Sequence, residues 1–142
     1  MKTVFAIASL MIILGACSKN DSNNSQGKNL KFTISVTGLN LNEQDNAHVV
    51  IAGTNTSGTA SWRVNGELRN NEAGLVISKQ DLAAGNTIVV ESVGPLVAAN
   101  VVLSGINFGS SFTFKYKAEV SGAVKNDISD VVADQYQKTF TY

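Results

Sequence analysis

Nine residues toward the C-terminus constrain this chain more than any others: Phe112-Thr113-Phe114-Lys115-Tyr116-Lys117-Ala118-Glu119-Val120. Apolar and polar side chains alternate along the whole run. In an extended backbone successive side chains point to opposite faces. One face here is aromatic and aliphatic, and the other carries Thr, Lys, Lys and Glu. The run reads as a strand with one buried and one wet face, the arrangement of antiparallel sheets.

The same period recurs in Phe32-Thr33-Ile34-Ser35-Val36. Further strands are expected at His48 to Ala52, Ala60 to Val64, Leu75 to Ser78, Thr87 to Val93, Asn100 to Ser104 and Gln137 to Tyr142. These segments are β-branched or aromatic and are separated by Gly, Asn and Ser clusters. The pattern predicts an all-β chain, an antiparallel β-sandwich of about seven or eight strands. Asn65-Gly66, between Trp62-Arg63-Val64 and Glu67-Leu68, predicts a two-residue hairpin, because both residues accept positive φ. Two short helices are expected, Lys79 to Ala84 closed by Gly85, and Asp130 to Gln135 after a Ser129 cap.

Two stretches carry a family resemblance. Trp62-Arg63-Val64-Asn65-Gly66, then Asp81-Leu82-Ala83-Ala84-Gly85-Asn86-Thr87 leading into Ile88-Val89-Val90, resemble bacterial immunoglobulin-like and PKD-like sandwich modules. The resemblance implies a core Trp ahead of the hairpin and a turn ahead of a late strand. The chain departs from it in lacking a Tyr after the Gly turn and the antibody-type cysteine pair. It implies an architecture and carries no function.

The N-terminal segment is of another kind. Met1-Lys2 places one positive charge before the uncharged run Val4 to Leu14, which closes in Leu14-Gly15-Ala16-Cys17. A basic start, a short apolar centre and small residues before a cut are what a secretory signal requires. The apolar run is shorter than the ~20 residues of a comfortable membrane span. Leu14 is large for ordinary signal cleavage three positions later. Leu-Gly-Ala-Cys resembles the lipobox of bacterial lipoproteins, which implies cleavage between Ala16 and Cys17 and lipid on the Cys17 sulfur and new amino terminus. Two or more acyl chains would anchor the protein durably, where one holds it only marginally. The expected organisation is a signal over 1–16, the lipidated cysteine and a disordered tether over 17–29, and a sandwich domain over 30–142. Residues 18 to 29 are rich in Asn, Ser and Gly and would reach roughly 20 Å as a flexible coil. The implied location is the cell envelope, at the outer membrane of a Gram-negative bacterium, with the membrane face left open.

Composition narrows the chemistry. Cys17 is the single cysteine, and Met1 and Met11 precede it, so beyond Cys17 the chain holds no sulfur for disulfides, thiolate metal sites or nucleophiles. Eleven basic and eleven acidic residues provide no basic stripe for phosphates, so nucleic acid is not an expected partner. His48 is the one histidine and begins a strand; with no Gly-x-Ser-x-Gly elbow it reads as a strand-end residue. No Gly-x-x-x-x-Gly-Lys loop is present. Glu67, Glu72, Glu91 and Glu119 are scattered, and Trp62 and Tyr116 with Phe112 read as core. The densest carboxylates are Asp127, Asp130 and Asp134, beside Asn126. They read first as a solvated acidic loop and second as calcium candidates, since oxygen-rich loops bind calcium. No cofactor is expected.

These observations favour a membrane-anchored, non-enzymatic envelope protein with a structural or binding role toward a polysaccharide or another envelope protein. The alternatives are a small envelope hydrolase or glycan-processing enzyme, which would gather His48 with carboxylates in a cleft, and an inhibitor or immunity-type lipoprotein, which would present an exposed apolar patch or protruding loop.

Overall fold

A computed structural model of the chain describes residues 27–142. Ala16, Cys17, the signal and most of the tether lie outside the described residues. Ten strands and one short helix follow in the order β1 (Leu30–Thr37), β2 (Asn46–Thr54), β3 (Trp62–Val64), β4 (Glu67–Arg69), β5 (Gly74–Ile77), α1 (Lys79–Ala83), β6 (Ile88–Ser92), β7 (Ala98–Ile106), β8 (Phe112–Val120), β9 (Ala123–Val132) and β10 (Gln135–Thr141). They form a sandwich of two antiparallel sheets. One has six strands in the order β4-β3-β6-β1-β8-β9, and the other has four in the order β10-β7-β2-β5.

Alternation decides the layers. Phe32, Ile34 and Val36 of β1 and Phe112, Phe114, Tyr116 and Ala118 of β8 point inward from the larger sheet. Val49 and Ile51 of β2 and Val101 and Leu103 of β7 meet them from the smaller one. The outer face of the larger sheet keeps its polar partners, with Lys31 of β1 opposite Glu91 and Glu119 in register. Burying a large apolar side chain contributes about 1.5–3 kcal/mol, so a one-residue slip of β1 or β8 would cost several such terms at once.

The turns follow local chemistry. Asn65 and Gly66 both adopt positive φ, at 50° and 85°, and join β3 to β4. Ser121 and Gly122 do the same between β8 and β9, at 49° and 83°. Helix α1 begins at a capping box in which Ser78 and Asp81 each accept from the other's backbone N–H, and Gly85 follows it at φ 69°.

Two expectations are corrected here. The eight expected strands become ten because β4 completes the hairpin and β9 replaces an expected loop and helix. Asp130 to Gln135 is not helical: it spans the end of β9, a two-residue turn and the start of β10. The cause is tertiary. Asn126, Ile128, Asp130 and Val132 face the same side as Ala118, Tyr116, Phe114 and Phe112 of β8, and a β-bulge at Ala118/Glu119 brings β9 into that register. Half of this inward set is polar, which hides the alternation from a hydropathy reading.

Register also defines the two ends. Thr37 pairs with Thr113, Phe112 with Val132, and Ile106 with both Asn46 and Gln135. The β1–β2 loop, the β7–β8 loop and the β9–β10 turn therefore gather at one end, termed the far end. The chain joins the opposite, N-terminal end, where Lys28 exchanges two backbone hydrogen bonds with Leu96, at 2.7 and 2.9 Å. Asn29 accepts from the Ser121 N–H there at 2.7 Å. Lys28 and Asn29, grouped with the tether by composition, are thus bonded to the domain.

Candidate functional site

Buried polar side chains are costly unless partnered, so their positions single out where a fold spends stability on something besides packing. Among the described residues the buried polar or charged side chains are Asp45 and Asn107, and both lie at the far end.

Asp45 closes the β1–β2 loop. It has the same inward parity as Ala47, Val49 and Ile51 of β2, so the strand's alternation turns it toward the core, and it is only 2% exposed. Its Oδ1 accepts from the Phe108 N–H at 2.7 Å, while its Oδ2 is fully buried with no hydrogen-bond partner. Two residues earlier, the half-buried Glu43 faces the same β7–β8 loop. Its Oε2 accepts from the Ser110 N–H at 3.2 Å and its Oε1 from Asn40 Nδ2 at 2.9 Å. The carboxylate lies so close against Gly109 that a Cβ there would collide with it. Lys79 of α1 donates to the Glu43 carbonyl at 3.0 Å.

Asn107 ties the β7–β8 loop to the β9–β10 turn. Its N–H donates to the Asp134 carbonyl at 2.8 Å, its Oδ1 accepts from the Gly109 N–H at 3.1 Å, and its Nδ2 donates to the Ala133 carbonyl at 3.2 Å. Three connections are thereby fixed around two carboxylates.

A second polar assembly runs along the open side of the sandwich, between the edge strands β9 and β10. Asp130 accepts from the Tyr136 hydroxyl at 2.7 Å and from Lys138 Nζ at 3.0 Å. Tyr142 donates to Asn126 Oδ1 at 2.8 Å, which leaves Tyr116 as the donor in the 2.8 Å contact between the two phenols. The Tyr136 hydrogen bond and then Lys138 hold the Asp130 carboxyl below its ordinary value. Burial pushes the Tyr116 and Tyr136 phenols up, and their hydrogen bonds to Tyr142 and Asp130 raise them further. Inward-pointing charge on edge strands disfavours sheet-to-sheet association.

The sequence candidates are dispersed. Asp127 is exposed on the outer face opposite Lys117, Asp130 turns inward to the seam, and Asp134 is exposed in the β9–β10 turn. Instead of lining one loop, Asp127 and Asp130 sit on opposite faces of a strand. No group of three or more His, Cys, Asp or Glu side chains is gathered among the described residues. His48 is half-exposed on β2, opposite Ser104. Trp62 is fully buried and donates its indole N–H to the Glu72 carbonyl at 2.9 Å; Phe112 and Tyr116 are core, as expected. Of the four glutamates singled out in the sequence, Glu67 is exposed on β4 and the other three each lie beside a cation: Glu72 by Arg69 at 4.0 Å, Glu91 by Lys31 at 3.2 Å, Glu119 by Lys117 at 3.3 Å. A cleft of about 380 Å³ is bordered by Arg69, Glu72, Gln80 and Asp81. The Asp81 carboxyl is already engaged there by the Ser78 side chain and backbone, which hold it below its ordinary value.

The signal for Asp45 was available in its parity with Ala47 and Val49. Glu43 carries no such signal, since only the return of the β7–β8 loop places it.

No protein-family model and no curated protein matches the chain. Three solved structures are similar in fold. One is a protein from Parabacteroides distasonis solved by NMR in its calcium-bound form, with a TM-score of 0.64 at 15% identity, covering 87% of this chain and 98% of that one. Another is a crystal structure of a domain of unknown function, DUF4425, from Bacteroides vulgatus, with a TM-score of 0.62 at 15% identity, covering 82% and 94%. A DUF4425 family protein from Bacteroides ovatus has a TM-score of 0.60 at 14% identity over the same shares. Identities this low establish a shared fold and nothing finer.

Proposed function

We propose that this chain is a lipid-anchored, non-enzymatic domain of the cell envelope that turns the far end of its sandwich away from the membrane to meet a partner. The observation that carries the reading is the pairing of Leu14-Gly15-Ala16-Cys17 with the place where the chain joins the domain. A lipid on Cys17 and a tether ending at Lys28 put the N-terminal end beside the membrane. β1 and β2 run roughly 25–30 Å from there at about 3.3 Å per residue, which sets the β1–β2 and β7–β8 loops farthest out. Those loops hold Asp45 and Asn107, the buried polar side chains that packing alone does not require. A polysaccharide or another envelope protein fits such a position.

The calcium-bound state of the similar Parabacteroides distasonis protein makes calcium the first ligand to consider for this fold. Asp45 fits a hard cation, because its buried Oδ2 lacks any donor. Asp127, Asp130 and Asp134 do not fit as a set, because Asp130 is committed to Tyr136 and Lys138.

Mass spectrometry of the mature N-terminus, with membrane fractionation of Cys17→Ala, tests the anchor. The expected result is an acylated Cys17 at the N-terminus and release of the variant into the soluble fraction. An unmodified N-terminus, or a variant that still sediments with membranes, would overturn it.

A further inference from the structure

We infer that the free edge of β5 is a strand-addition site, which takes an extended, uncharged peptide segment of another protein into the cleft beneath β3 and β4. The site lies on the side of the sandwich, apart from the far end, and stands independently of the reading above.

Backbone parity sets the edge. Gly53 donates to the Ala73 carbonyl at 2.9 Å, and Ala52 stands opposite Gly74. Bonded and non-bonded pairs alternate along an antiparallel ladder. Leu75 and Ile77 therefore bond to β2, while the N–H and C=O groups of Gly74 and Val76 turn to the open side. No loop backbone among the described residues pairs with them. Val76 is 68% exposed.

Native sheets blunt such edges with charge, proline, bulges or cover. β4 carries exposed Glu67 and Arg69. β9 has its bulge and Asp130, and β10 answers with Lys138. β5 reads Gly74-Leu75-Val76-Ile77, with no charge, no proline and an unbroken register. It is the one unprotected edge of the described sheets.

The two sheets also differ in width. Counted from the β9–β10 seam, β8 lies over β7, β1 over β2 and β6 over β5, so β3 and β4 extend past the smaller sheet. Gly105 of β7, against the Phe112 and Phe114 rings of β8, fixes this alignment. The cleft of about 380 Å³ occupies the place where a fifth strand of the smaller sheet would run. Val64 and Arg69 form its roof, Gly74 and Val76 its side, and Gln80 and Asp81 of α1 its end.

The lining selects the occupant. Free N–H and C=O groups at alternate residues match another extended main chain, and the side-chain surroundings then set specificity. Val64 and Ile88 make the inward side apolar. On the outer face Val76 continues a row through Val50 and Val102, and the outward positions of β5, β2, β7 and β10 carry no Lys, Arg, Asp or Glu. The incoming segment is therefore apolar inward and uncharged outward. A second copy offered edge to edge would carry its own β6 over its own β5, into the space that β3 and β4 already fill. The chain's own residues 18–26 are Ser, Lys, Asn, Asp and Gln, without an apolar side chain. A free segment of another protein meets all of these conditions.

Heptapeptides that alternate Val, Ile or Leu with Thr, added at millimolar concentration to the isotope-labelled full chain, test this by amide chemical shift. The Gly74 and Val76 amides should move most, with Asp45 and Phe108 unmoved. Methylating one alternate set of peptide amides should weaken binding at least about tenfold, while methylating the other set should not, because only one set faces β5. Val76→Pro removes a free donor, takes no bond from β2 and should weaken binding by a similar factor. Should Val76→Pro fail to fold, the methylated peptides carry the same test on the wild-type chain. No response to any of these peptides, shifts centred elsewhere, or equal binding by both methylated sets would overturn the inference. So would concentration-dependent self-association that Val76→Pro abolishes, which would make the occupant a second copy.

Discussion

The two ends of the sandwich are closed in different ways. At the N-terminal end the plug is apolar: Trp62, Leu96, Ala60 and Ala99 are buried there, and a Cβ on Gly53 would meet Trp62 Cζ2 at 2.7 Å and Leu96 Cδ1 at 2.9 Å. At the far end the closure is a carboxylate, an amide and the backbone groups they hold. Apolar closure is tight, non-directional and indifferent to ligands. Polar closure is directional, and with Asp45 Oδ2 unpaired it is also incomplete. A fold that manages the first kind at one end has no packing need for the second at the other. The contrast is what singles out the far end in the proposed reading of the molecule.

The comparison can be broken most severely at Trp62. Trp62→Ala empties the plug and leaves the Glu72 carbonyl without its indole donor; a loss of about 3–5 kcal/mol is expected, read as a lower urea midpoint. The proposed reading puts the ligand at the opposite end, so added calcium should restore little of it. A full recovery in calcium would mean that the ends are not independent.

Asn107→Ala should act more mildly and only at the far end. It leaves the Gly109 N–H and the Ala133 carbonyl short of partners, for a cost of about 1–3 kcal/mol. Hydrogen exchange should quicken at residues 107–111 and 133–134 and stay unchanged around Lys28 and Leu96. Uniform quickening along the chain would contradict separate closures.

Asp130→Asn belongs to neither end and should have the smallest effect, about 1 kcal/mol for a partly exposed ion pair. Its signature is in pH. The folded Asp130 carboxyl titrates below its unfolded value of about 3.9, so its stabilisation is present above that pH and fades as acid protonates the folded carboxyl. Asp130→Asn should flatten this part of the acid limb in a melting-temperature series. An unaltered acid limb would show that the seam contributes nothing.

Much of the fold was legible in the sequence because its strands are written in apolar alternation. Phe32 to Val36 and Phe112 to Val120 fall inside β1 and β8, the Asn65-Gly66 turn falls between β3 and β4, and Ser78 to Gly85 frames α1. β9 was missed because its inward positions include Asn126 and Asp130, whose place is decided by Tyr142, just past β10, and by Tyr136 on β10. Ser121-Gly122 ahead of it was a readable hairpin turn. The candidate site was harder. Carboxylates dense in sequence, Asp127, Asp130 and Asp134, were separated by the pleat. Glu43 and Asp45 were joined by amides more than sixty residues away. Chain density signals proximity only where the backbone is a loop; in a strand it divides neighbours between two faces.

The most direct measurement is an amide chemical-shift titration of the full chain with calcium. The largest shifts should centre on Asp45, Phe108 and Ser110, whose N–H groups or carboxylate meet at the far end, with Lys28, Leu96 and Ser121 unmoved. Shifts centred on Asp127, Asp130 and Asp134, or at the N-terminal end, would contradict the assignment of the far end as the site.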